Sequence, residues 1–179
     1  MSNRRNLFYE LAGIIYIIAF GSVLHFTFEW SGRQVAVGVF SAVNESVWEH
    51  LKLGFWPAIV FALFEFPQLR KTVNNFLLAK AVSIYLIPTV IIIIFYSYTA
   101  ILGESILAID ILTFIIAVIS GQLVSYKLLT GKKLAPKLSI VCLIALLLLA
   151  LAFVLFTFYP PRLSLFQDPV TGEYGIIAH

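Results

Sequence analysis

Long apolar runs separated by short polar stretches dominate this chain. The first covers about residues 7–28 and contains LAGIIYIIAFGSVLHFTF; four more follow at about 45–66, 79–102, 105–126 and 138–159. A transmembrane helix needs about 20 mostly apolar residues, whereas transmembrane barrel strands alternate in hydropathy. The runs here are continuous, which predicts helices. The expected fold class is therefore all-α: a polytopic membrane helical bundle of about five transmembrane helices. It forms a single membrane domain over 1–179, with an external C-terminal cap at 160–179. Arg4 and Arg5 precede the first run as in a signal peptide. Its apolar stretch is longer than a signal h-region, however, and no A-x-A site follows, so it reads as a retained helix. Pro57 and Pro88 predict local kinks, and Pro160–Pro161 ends the fifth run.

Composition agrees. The chain has 179 residues, 61% hydrophobic and 12% charged, against roughly 25% charged in soluble domains. A soluble domain this short cannot bury so much apolar surface; a bilayer removes the need. The net charge of +3 is small and its basic residues are not clustered, so the expected partner is the lipid bilayer and not nucleic acid. Cys142, alone of its kind, sits in an apolar run and reads as a small hydrophobe. With the N-terminus cytoplasmic, Arg4, Arg5, Arg70, Lys71, Lys80, Lys127, Lys132, Lys133 and Lys137 all fall inside, which is nine of the twelve basic residues. The positive-inside rule then places the C-terminal tail outside. His25, His50 and His179 fall outside with most acids, while Glu10 and Glu65 fall inside. The inner halves of the spans read as nearly free of deep polar groups, Gln122 and small hydroxyls apart. A continuous transport path is therefore poorly supported.

The densest chemistry is NESVWEHLK at 44–52. Asn44 is expected to cap the second helix, with Glu45 in its first turn. At about 100° per residue, Glu45, Trp48, Glu49 and Lys52 share one face, and Ser46 and His50 an adjoining one. His25, His50 and Asp110 come from three spans at similar depth below the outer surface. Ionisable groups within spans usually face a bundle interior or a wet cavity. One reading makes the constellation a structural network, in which Glu45, Glu49, Lys52 and His50 lock loop, helix and tail together. Another makes it a metal site, with His25, His50 and Glu49 as ligands to a divalent ion such as zinc. In that reading Glu49 and His50 are the candidate catalytic residues, and Glu45, Lys52, Trp48, Asp110 and Asp168 candidate ligand-binding ones. Haem ligation by the two histidines has no further support. The tail turn DPVTGEYG reads either as a lid that points Asp168 inward or as a packed cap.

The stretch VNESVWEHLKL, with Pro160–Pro161, Asp168–Pro169 and Tyr174–Gly175 in the tail, resembles a family of small prokaryotic membrane proteins of unknown function. The resemblance covers essentially the whole chain. It implies a multi-span membrane protein of bacterial or archaeal type and brings no activity with it. Three functions remain in view. One is a metal-dependent membrane enzyme acting on a lipid or lipid-linked substrate, the second a small transporter, and the third an assembly subunit held by the polar network.

Overall fold

The computed structural model describes residues 2–176; His179 lies outside them. Six α-helices follow in order: α1 Ser2–Trp30, α2 Val35–Gly38, α3 Val47–Leu69, α4 Phe76–Leu102, α5 Leu107–Thr130 and α6 Pro136–Phe158. A 3-10 turn at Ser164–Phe166 comes after them. Five of these helices are long and apolar enough to cross a membrane. This is an all-helical, multi-pass membrane protein.

Hydropathy marks where a helix is greasy, whereas the helix itself ends where backbone groups find other partners. α1 therefore starts at Ser2, ahead of the apolar run. α3 continues through Pro67 to Leu69, and α4 begins at Phe76. Asn75, in the left-handed region at φ 52°, sets that start. Its side-chain amide donates to the carbonyls of Leu128 and Lys132, and its oxygen accepts from Leu134 N–H at 2.7 Å. One side chain thus ties the α3–α4 turn to the α5–α6 turn.

The start of α3 differs from expectation. Ser46, not Asn44, is the N-cap, and its hydroxyl accepts from the Glu49 amide. Glu49 then occupies the first turn, and Glu45 lies just before the helix. The reason is local. Asn44 spends its oxygen on the Ser46 amide at 2.9 Å and its NH2 on the Gly175 carbonyl at 2.8 Å. The S-x-x-E spacing of Ser46 and Glu49 is the N-terminal signature.

Neighbouring pairs α1–α3, α3–α4, α4–α5 and α5–α1 close a ring of four helices, and α6 lies outside it against α4. The ring is filled by residues such as Ile17, Phe55, Ile84, Ile87, Ala117 and Val118, with Phe153 of α6 reaching in. The remaining surface of α6 is apolar all round, as suits a lipid-facing helix. The connection before α3 does not project away from the bundle. It forms α2 and lies back along α3, where Trp56 Nε1 donates to the Val39 carbonyl at 3.1 Å.

α1 and α3 approach closely at Gly21, where an added Cβ would stand 2.4 Å from the Leu53 carbonyl oxygen. That carbonyl has no helical donor, because the residue four places on is Pro57. Gly21→Ala must therefore push two backbones apart. Overpacking of this kind costs about 1–3 kcal/mol, so we expect a lower thermal midpoint in detergent than for the parent chain. An unchanged midpoint for Gly21→Ala would contradict the close approach.

A histidine–carboxylate centre and the network that carries it

The NESVWEHLK stretch divides its polar residues between two destinations. Glu49 and Lys52, three apart on α3, turn into the protein and form an ion pair of 2.5 Å with side chains 2% and 0% exposed. An ammonium so buried needs all its donors used. Lys52 Nζ also donates to the Gly38 carbonyl at 2.7 Å and to Thr157 Oγ1 of α6 at 2.9 Å. Glu49 accepts in turn from the Val43 amide at 3.1 Å and from Thr157 Oγ1 at 3.3 Å. Loop, α3 and α6 are thereby joined through one pair of charges. Beside it, Trp48 packs against Phe153, Phe156 and Phe166, with ring centroids 4.7, 5.5 and 4.8 Å away. The tail is docked by Phe166 and by the Asn44–Gly175 hydrogen bond.

The other destination is the rim. Glu45, just before α3, turns toward His50 of α3 and His25 of α1. His50 Nε2 lies 3.4 Å from one carboxylate oxygen and His25 Nε2 4.0 Å from the other. The two imidazole centroids are 5.1 Å apart. Ligand atoms of all three residues fall within 4.8 Å of one another. His50 Nδ1 donates to the Ser46 carbonyl at 2.9 Å. That bond engages Nδ1 and leaves Nε2 facing the Glu45 carboxylate. The hydrogen bond with His50 holds the Glu45 carboxyl below the usual carboxylate range. The three side chains are 29–51% exposed, so the group opens to the surface.

Other candidate residues go elsewhere. Glu49 does not join the histidines, because Lys52, Thr157 and Val43 saturate it. Asp110 sits near the α4–α5 turn, where it accepts from the Tyr98 hydroxyl and lies in the first turn of α5. Asp168 is 4% exposed and shapes its own turn: its carboxylate accepts from the Val170 amide at 2.8 Å, and its amide donates to the Glu173 carbonyl. The tail is a packed cap, and Asp168 does not point into the rim site.

A second charged centre occupies the far end of the helix ring, where polar side chains are buried contrary to the reading of the inner halves as nearly apolar. Lys80 Nζ of α4 lies 2.7 Å from Glu10 Oε1 of α1 and 2.6 Å from Glu65 Oε2 of α3. Ser125 of α5 donates to the same Glu10 oxygen at 2.9 Å. Three charged residues inside apolar runs were the available signal. Charge counting by side assigned them to the membrane edge and so hid their pairing.

Over residues 2–176 the chain matches the model of a family described as a family of unknown function (DUF6512). No curated protein and no solved structure matches it.

The inner pair gives a stability prediction. Breaking a buried ion pair from one side costs about 3–5 kcal/mol, because the surviving charge is left uncompensated. Lys52→Met should therefore lower the unfolding midpoint sharply, and the double change Lys52→Met with Glu49→Leu should recover most of the loss. Equal midpoints for the single and double variants would show that the pairing is not what the fold depends on.

Proposed function

The chain belongs to that family of unknown function, and from its own side chains we propose that it is a membrane metalloprotein. His25, Glu45 and His50 hold one zinc-class divalent cation and present it to a hydrolysable ester or phosphoester at headgroup level. The observation that carries this reading is the convergence of two imidazole nitrogens and a carboxylate oxygen, all within 4.8 Å of one another. His50 Nδ1 bonds the Ser46 carbonyl and so aims Nε2 at Glu45; a bound cation takes the place of the proton between that nitrogen and the carboxylate.

Geometry and exposure both support it. A tetrahedral zinc with ligands at about 2.0–2.1 Å sets those ligand atoms roughly 3.3 Å apart. The Glu45–His50 separation of 3.4 Å already matches; the full set of three ligand atoms lies within 4.8 Å, so His25 closes on the ion by a side-chain movement. Two histidines and one glutamate leave a fourth position open, as catalytic zinc sites do. A zinc ion so held brings the pKa of a bound water to about 7, which is hydrolytic chemistry. The surroundings favour a lipid-associated substrate. Phe26 stacks on Trp30 beside His25, and Trp30 is 71% exposed. Such rings sit at the headgroup level of a bilayer. The bias of Lys and Arg toward the opposite end of the spans supports an extracytoplasmic position for the site.

Metal content of the purified protein, measured by mass spectrometry after zinc loading and gel filtration, tests the reading. We expect stoichiometric metal in the parent and in Asp110→Asn, loss in His25→Ala and His50→Ala, and weaker retention in Glu45→Gln. A parent that retains no metal would overturn it and leave the group as a hydrogen-bonded contact between α1 and α3.

A further inference from the structure

The buried centre at the far end of the ring has a charge that does not close. Each helix of the ring supplies one member: Glu10 from α1, Glu65 from α3, Lys80 from α4 and Ser125 from α5. Two carboxylates and one ammonium leave a net charge of minus one if all three are ionised. Among the described residues no second cation faces them. Arg5 is exposed and donates to Thr72, and Arg70, Lys71 and Lys127 are exposed. Tyr9 packs on the apolar cluster of Leu69, Phe76 and Leu129. From α5 come only the neutral Ser125 and Gln122.

The hydrogen bonding is short by the same amount. Glu10 Oε1 has two donors, whereas Glu10 Oε2 and Glu65 Oε1 have none. Glu65 Oε2 is close to the ammonium yet outside hydrogen-bond geometry. Two further acceptors without donors line the same seam. Asn6 Oδ1 is one turn from Glu10 on α1. Gln122 Oε1 is one turn from Ser125 on α5 and lies 3.1 Å from where a Cβ on Gly13 would be. These residues are at most 3% exposed. Burying an unpaired charge and several unpaired acceptors together is costly. Two carboxylates that share one site do not both ionise. A single proton removes the excess charge and supplies a missing donor.

We propose that Glu10 and Glu65 bind one exchangeable proton between them, beside Lys80, so that the centre is neutral. Ionisable groups inside spans mark proton and ion pathways, and the ligand class here is the proton itself. Asn6 lies one turn nearer the start of α1, next in sequence to the exposed Arg5. The inference uses no residue of the rim site and is independent of the metal reading.

Infrared spectroscopy of the full chain in lipid vesicles near neutral pH tests it. The parent should show a carboxylic-acid carbonyl band that shifts in heavy water. Glu10→Gln and Glu65→Gln should each abolish that band, since the one remaining carboxylate then pairs with Lys80. The amide band of the same spectra reports that the helices are intact. Lys80→Met should strengthen the acid band, because both carboxyls then lack a counter-charge. Absence of the band in the parent, or its persistence in either glutamine variant, would overturn the proposal.

Discussion

A charge withdrawn from water into a bilayer needs a partner of opposite sign, and the rest of this structure is arranged around that requirement. Lys52 is the clearest case, with a fully buried ammonium held by a carboxylate, a carbonyl and a hydroxyl. Each partner lies on a different segment. Satisfying one nitrogen therefore fixes α2 against α3 and α6 against both. Aromatic packing around Trp48 fills the space that remains, but the polar partners choose the geometry, because hydrogen bonds have direction and apolar contacts have little.

The same requirement explains the division of labour within one short motif. Residues 45 and 49 are both glutamates, only four positions apart. Glu49 lies inside the first turn of α3 and faces inward, whereas Glu45 precedes the helix and faces the rim. The inner carboxylate is saturated and serves the fold. The outer one, half exposed and close to two imidazoles, has capacity left for a ligand. A cap at Ser46 rather than Asn44 decides which carboxylate takes which role.

The sequence told most about what depends on composition. Continuous apolar runs announced five spanning helices, and the clustering of NESVWEHLK announced a polar hub. Helix rotation was beyond reach, since hydropathy is the same whichever way a helix faces. For that reason composition alone groups Glu49 with His25 and His50, and Asp110 and Asp168 with the hub. The Glu10–Glu65–Lys80 centre was illegible for a related cause. Its members come from four different helices, and only the ring of helices brings them together. Glu45 is legible as a candidate ligand-binding residue, but its place beside both histidines follows from the Asn44 turn, a backbone detail without a hydropathy signal.

The hydrogen bond from Asn44 to Gly175 spans 131 positions, and that from Lys52 to Thr157 spans 105. During synthesis α3 leaves the ribosome long before α6 and the tail exist. Of the Lys52 partners, Glu49 and Gly38 precede α6 in the chain, whereas Thr157 lies within it. The hub is therefore complete only once the last helix has inserted. Biogenesis, and not only the finished fold, runs through this one nitrogen.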